Sequence, residues 1–144
     1  MFVIVSESEP KSADPVLPSP SRWFEVERLD ETAVVVRRTG TRMEVTDLAR
    51  AYEPILAYLE ATRPAGVLVD LRDAPGRNDD AYEQAVIPFR RRLLIAAPRV
   101  VVLVRMRVGA LQVARHARAD GVDVVVTHDP DTARRHVLGA ASRA

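Results

Sequence analysis

The sequence has no cysteine, and its hydroxyl groups are poorly placed for catalysis. The absence of cysteine excludes disulfide bonds, thiolate zinc sites and cysteine nucleophiles. No serine or threonine occurs between Thr62 and Thr127, and there is no Gly-x-Ser-x-Gly elbow. The serines all lie near the two ends of the chain, at Ser6, Ser8, Ser12, Ser19, Ser21 and Ser142. Because a nucleophilic site needs rigidly held groups, we predict that the protein is not an enzyme.

Glycine and histidine are sparse and form no functional motif. The isolated glycines make neither a Gly-x-Gly-x-x-Gly loop nor a Walker motif, so no nucleotide cofactor is predicted. The three histidines lie on separate predicted elements, without the i, i+4 spacing of a helical zinc pair; they are His116, His128 and His136. Surface or capping roles explain them more simply. We predict no metal site and no cofactor.

Long apolar runs and an excess of one charge are also missing. No run approaches the roughly 20 residues that a bilayer requires. The first residues meet Glu7 and Glu9 without a preceding basic segment, which is unlike a signal peptide. The 21 Lys+Arg and 20 Asp+Glu residues leave a net charge of +1, which does not favour nucleic-acid binding. We therefore expect a cytoplasmic protein with no transmembrane segment and no nucleic-acid partner.

The chain does contain enough apolar material for one folded domain. Its 144 residues, 47% of them hydrophobic, are sufficient to bury a single core. Residues 10–21 hold four prolines and three serines, a composition typical of a linker. We predict an N-terminal arm over residues 1–21, which could contain a short strand, and a single domain over residues 22–144.

The strand patterns predict a mostly parallel sheet with an antiparallel edge hairpin. Alternation over residues 23–29 and three valines within 33–38 indicate the hairpin. Short apolar runs follow that are typical of strands covered on both faces; they span residues 67–71, 99–107 and 122–126. Helical segments separate them, giving the order β-β-α-β-α-β-α-β-α. Such alternation predicts an α/β fold.

The helices are predicted from apolar spacing and capping residues. Apolar residues from Leu48 to Leu59 recur at helical intervals. A second helix is expected over about residues 80–96, capped by Asn78 or Asp79, and Pro88 should kink or break it. A third follows Gly109 and carries Leu111, Ala114 and Ala117. In the last helix, which carries Ala133, Val137 and Ala141, Asp129 and Pro130 fit the capping and first positions.

Charged residues cluster where the predicted parallel strands end. Ligands of open parallel sheets bind beyond the carboxyl ends of the strands, where helix N-termini favour anions. The candidate ligand-binding residues there are Asp73, Arg77, Arg105, Arg107 and His128. Their arginines suit an anionic group such as a nucleotide or lipid phosphate. The alternative is that Asp70 or Asp73 pairs with Arg105, so that the charges neutralise each other within the fold.

Three consecutive arginines on the predicted second helix form the other conspicuous feature. Arg90, Arg91 and Arg92 span about 200° of helical arc, so at most two share a face. They are candidates for docking an acidic partner. A solvated helix face is the simpler alternative.

Three segments resemble the STAS-like family (sulphate transporter and anti-sigma-factor antagonist), particularly its small stand-alone bacterial members. They are the opening hairpin, residues 67–73 leading into a helix, and residues 100–104 leading to the helix at 109–113. The resemblance covers about residues 22–141 and rests on fold-level patterns. It implies a STAS-like fold and a regulatory role. In the antagonists, a kinase phosphorylates a Ser or Thr that begins the helix after the central strand, whereas residues 76–81 here contain no hydroxyl.

Two functions are therefore compared. The first is a non-enzymatic regulatory module that docks a protein partner, resembles an anti-sigma-factor antagonist and lacks its phospho-acceptor. The second is a binder of a small anionic ligand at the carboxyl edge of the sheet. Docking predicts an exposed apolar or arginine-rich face, whereas ligand binding predicts a concave edge with unpaired arginines. Homodimerisation through the second helix or the edge hairpin stays open.

Overall fold

The centre of the molecule is a five-stranded sheet, given by a computed structural model that describes residues 15–76, 79–122 and 124–139. The strands lie side by side in chain order. The first two are antiparallel and the others parallel. The strands are β1 (Phe24–Arg28), β2 (Ala33–Arg38), β3 (Gly66–Asp70), β4 (Arg99–Leu103) and β5 (Val125–Thr127). The predicted α/β class, element order and antiparallel edge hairpin are confirmed.

Alternation along the strands divides the apolar side chains between two cores. In β2, Val34 and Val36 belong to the larger core, whereas Ala33 and Val35 belong to the smaller one. Such alternation follows from the two-residue period of a strand. Three helices cover the larger core, namely α1 (Leu48–Thr62), α2 (Asp80–Leu94) and α3 (Arg107–Ala119).

The last helix, α4 (Pro130–Val137), covers the opposite face of the sheet. The Asp129 side chain accepts a hydrogen bond from the Asp131 main-chain N–H, and Pro130 takes the first helical position, as the sequence predicted. Ala133 and Val137 are fully buried against β3 and β4. The helix lies so close to β3 that only a glycine, Gly66, fits beneath the Val137 carbonyl.

The sequence predicted a kink or a break at Pro88, and the break does not occur, because α2 is one continuous helix from Asp80 to Leu94. Proline removes one helical hydrogen bond, but buried residues on both sides of it anchor the helix to the core. Val86 lies on one side, and Leu93 and Leu94 on the other. Tertiary packing therefore overrides the local preference, as it often does.

The last two strands, β4 and β5, are shorter than the sequence predicted. The segment predicted to end at Arg107 ends at Leu103, because Arg107 already begins α3. The predicted buried strand at 122–126 becomes the edge strand β5, where Val125 is partly exposed, since an edge strand has a neighbour on one side only. Residues 15–21 have no regular structure. The arm before residue 15 and Ala141 lie outside the described residues. No helix of the described residues is long and apolar enough to span a membrane.

Candidate functional site

The carboxyl ends of β2, β3 and β4 bring charged side chains together at one edge of the sheet. They surround a shallow depression of about 360 Å³ lined by Arg37, Asp70, Arg72, Asp73 and Arg105. Asp73 and Arg105 were predicted to lie at this edge, and they meet there. Arg37 was not predicted, and its guanidinium contacts Asp70 from β2.

Asp70 is the centre of this cluster and is buried. Arg72 donates from Nε to Asp70 Oδ1 at 3.0 Å and from Nη2 to Oδ2 at 2.9 Å, and its main-chain N–H adds a bond of 3.1 Å. Arg37 Nε donates to Oδ2 at 3.4 Å. Burial raises the pKa of Asp70, but the hydrogen bonds and charge of Arg72, helped by Arg37, outweigh it, so the pKa lies below its ordinary value. The carboxylate is thus ionised and satisfied by the protein itself.

We expect Asp70→Asn to destabilise the fold by about 2 kcal/mol at neutral pH, because hydrogen bonds to a charged group are lost. The pKa of Asp70 is lower in the folded protein than in the unfolded chain, where it is about 3.9. Its stabilising effect is therefore complete above about pH 3.9 and is lost as the pH falls through the folded pKa. Urea unfolding at pH 7 and pH 3 should therefore show a smaller difference between variant and parent at pH 3. Asp73→Asn, in an exposed pair, should cost below about 1 kcal/mol. An equal cost at both pH values would contradict the account.

Arg105 is paired, as the alternative interpretation of this edge expected. Its Nη2 donates to Asp73 Oδ1 at 2.9 Å, and its Nε donates to the Arg72 carbonyl at 2.9 Å. The side chains of Arg105 and Asp73 are 66% and 62% exposed, so the pair contributes little to stability. Any anion that binds at this edge has to compete with carboxylates already in place.

The other predicted ligand-binding residues do not line this depression. Arg107 is the first residue of α3 and is exposed; His128 follows β5 and is also exposed. Neither side chain makes a hydrogen bond or ion pair with another described residue. Arg77 lies outside the described residues. Within the described ranges, no three His, Asp or Glu side chains cluster in a way that could hold a metal ion.

The three consecutive arginines of α2 point in different directions. Arg90 is half-buried and bonds to Asp120 Oδ2 at 2.9 Å and to Glu83 Oε1 at 3.2 Å, which ties α2 to the end of α3. Arg92 reaches α1, with bonds of 3.1 Å to Glu53 and 2.9 Å to Glu60. Of the three, only Arg91 is exposed without an ion pair in the part of the chain that the structure describes. Two of the predicted docking arginines are therefore committed to holding helices together.

An exposed apolar surface lies instead on the first half of α3 and the residue before it. Met106, Val108 and Leu111 are 58%, 66% and 63% exposed. Val108 and Leu111 are three positions apart and share a helix face. Arg107 and Arg115 are exposed beside them, and residues 99–119 contain no Asp or Glu. We call Met106, Arg107, Val108, Leu111 and Arg115 the α3 face.

Sequence reasoning missed the α3 face and Arg37 for different reasons. Leu111 was placed on the third helix, but periodicity does not say which side of a helix the sheet covers. Arg37 could have been found from the hairpin, since its register sets Arg37 opposite Glu25, and opposite charges across a strand pair attract. The same alternation places Arg38 on the face of Val34 and Val36, a signal that a buried arginine is present.

No protein-family model matches the chain. No curated protein and no solved structure is significantly similar to it. The structure itself shows a mixed five-stranded α/β fold with an antiparallel edge pair.

Proposed function

We propose that this protein is a non-enzymatic regulatory module that docks an acidic segment of a partner protein on the α3 face. The observation that carries the proposal is the coincidence of three exposed large apolar side chains with exposed arginines on a segment that has no acidic residue. Met and Arg are enriched at protein interfaces. Exposed apolar patches rimmed by polar residues commonly mark interaction sites.

The positive charge of the α3 face indicates that its partner carries acidic residues. Arg107 and Arg115 have no ion pair with another described residue, so their charge is available to a carboxylate on the partner. An acidic segment that also carries apolar side chains would bind both the arginines and the exposed apolar side chains of the α3 face. A second copy of this chain fits less well, because an isologous pairing of this face would bring like charges together.

The resemblance to STAS-like domains supports the regulatory part of the proposal. Small stand-alone members of that family act by binding protein partners in the cytoplasm, and we propose the same location here. The family's phosphorylated hydroxyl has no counterpart in residues 76–81. Asp79 instead caps α2, accepting hydrogen bonds from the Ala81 and Tyr82 main-chain N–H groups. Docking on the α3 face is therefore proposed to be independent of a kinase at that position.

Binding of an anionic ligand at the carboxyl edge is the less favoured function. It requires unpaired arginines in a concave site, whereas Arg105 and Arg72 bond to Asp73 and Asp70. Those bonds leave little uncompensated positive charge in the depression.

The proposal is tested by selecting a random peptide display library against the purified full-length protein. We expect the selected peptides to combine acidic with large apolar residues, and their affinity to fall as salt rises. Binding should be lost in Arg115→Glu and kept in Arg91→Glu, which reverses an exposed arginine of α2. Selected peptides without acidic residues, or equal sensitivity of the two variants, would contradict the proposal.

A further inference from the structure

Arg38 has a buried guanidinium that contacts no carboxylate among the residues that the structure describes. The residue ends β2 and is only 7% exposed. Its Nη1 donates to the main-chain carbonyls of Thr39 at 2.9 Å, Thr41 at 2.8 Å and Trp23 at 3.4 Å. The guanidinium also bonds to the Tyr82 hydroxyl. All these partners are neutral.

The missing countercharge is unusual for this protein. Buried charges are normally paired, and Arg90, the other arginine of this core, binds two carboxylates. Burial lowers the pKa of Arg38, and only the two tyrosines Tyr52 and Tyr82 oppose that effect. The Arg38 cation therefore lies in the interior among neutral groups, with main-chain carbonyls and the Tyr82 hydroxyl as hydrogen-bond partners and the Phe24 ring 5.8 Å from its guanidinium carbon.

A cavity of about 150 Å³ adjoins this guanidinium. Its wall combines the charged residues Arg38, Glu83 and Arg90 with apolar and aromatic side chains, among them Met43, Tyr52, Ala74, Tyr82 and Val86. A cavity of this volume accommodates a molecule the size of benzene. The Glu83 carboxylate is held by Arg90 at 3.2 Å.

A second, larger space adjoins the cavity between α2 and α3. That space has a volume of about 440 Å³ and shares Leu71, Pro75, Glu83 and Arg90 with the first. Small-molecule sites commonly combine apolar side chains with a few well-placed polar or charged groups, and here those groups are Arg38 and the paired Glu83 and Arg90.

We propose that this cavity binds a small aromatic monocarboxylate, with its carboxylate on Arg38 and its ring among Met43, Tyr52 and Val86. The carboxylate supplies the countercharge that no described residue gives to Arg38. An aromatic ring matches both the volume and the wall, because rings pack favourably edge to face or offset against Tyr52. A ligand at this position is separate from the α3 face and independent of docking there.

The test measures thermal stability and affinity with sodium benzoate as the probe. Benzamide has nearly the same shape without the charge, and inorganic phosphate has charge without the ring; sodium chloride matches the ionic strength. Ligand that binds only the native state raises the melting temperature with concentration by mass action. We expect benzoate to do so and benzamide and phosphate not to do so.

Two variants test whether benzoate binds in the cavity beside Arg38. Arg38→Gln removes the charge and should weaken benzoate binding about tenfold or more, since charge-assisted bonds are lost. Ala74→Leu fills the cavity while leaving Arg38 intact, and it should also abolish binding. The matched controls are Arg91→Gln and Ala57→Leu, at exposed helix positions, and these should bind benzoate like the parent.

Each outcome of these measurements either supports or overturns the proposed site. No benzoate-dependent shift beyond that of sodium chloride overturns the proposal, as does stabilisation by phosphate instead of benzoate. Binding that survives in Ala74→Leu also overturns it, and this variant decides the matter if Arg38→Gln fails to fold. Loss in Ala74→Leu with retention in Ala57→Leu supports the site.

Discussion

Gly66→Ala should destabilise the protein by about 3 kcal/mol, among the larger effects of a single methyl group. A β-carbon at this position would lie well inside contact distance of the Val137 carbonyl oxygen and 2.9 Å from Val137 Cγ2. The carbonyl belongs to the backbone of α4 and cannot turn aside as a flexible side chain can. Either β3 or the whole helix must shift, and a shift would loosen the buried packing of Ala133 and Val137.

The loss of stability expected for Gly66→Ala is opposite in sign to the usual effect of replacing glycine by alanine. Replacing glycine by alanine usually stabilises a compatible site by about 0.4–1 kcal/mol, through the unfolded chain. A loss at Gly66 therefore reports the close approach of α4. Gly76→Ala is the matched control, because a β-carbon at Gly76 meets nothing within 4 Å. Urea unfolding of both variants measures the difference, and equal midpoints would contradict this packing of α4 on β3.

Leu111→Asp should weaken binding of the selected acidic peptides about 100-fold, while the free energy of unfolding stays nearly unchanged. The side chain is 63% exposed, so the folded protein gains little from it. At an interface, a central apolar anchor accounts for a large share of the affinity. The new carboxylate would in addition repel the acidic partner and offset the charge of Arg107 and Arg115.

A matched control for this variant is Ile95→Asp. Ile95 follows α2 and is 61% exposed, so the two substitutions change the same chemistry at nearly equal exposure. Ile95 also lies at the end of the helix that carries Arg90, Arg91 and Arg92. Titration of a labelled peptide against both variants separates the two helices. A larger loss in Ile95→Asp would place docking on α2 and overturn the assignment to α3.

Local sequence patterns sufficed for the order of the strands and for the start of α4, but not for the bounds of β4 and β5. The valines of β2 and β4 alternate between two cores, and their β-branched side chains favour strands. Asp129 and Pro130 mark the start of α4 because each satisfies a specific requirement of a helix N-terminus. These features depend on neighbours in the chain, so the sequence predicts them directly.

Features that depend on distant contacts were not predictable in the same way. Pro88 lies inside an unbroken helix because the core holds α2 on both sides of it. Leu111 is exposed because the sheet covers the opposite side of α3, which the spacing of apolar residues did not reveal. The close approach of α4 to Gly66 is likewise a matter of tertiary packing.

The candidate site was predictable only in part. The edge of the sheet was identified from strand ends alone, and Asp73 and Arg105 do meet there. Which arginine pairs with which carboxylate depends on side-chain geometry, as with Arg92, which crosses to Glu53 and Glu60 on α1. Arg38 was overlooked because the pair Arg37 and Arg38 at the end of a valine strand resembles the polar end of any strand.

Hydrogen exchange of the full-length protein, with and without the tightest selected peptide, tests the central claim most directly. Amide exchange reports which segments a ligand covers or rigidifies. We predict slower exchange in residues 105–115, with little change in residues 80–95. Protection of residues 80–95 without protection of 105–115 would contradict docking on the α3 face.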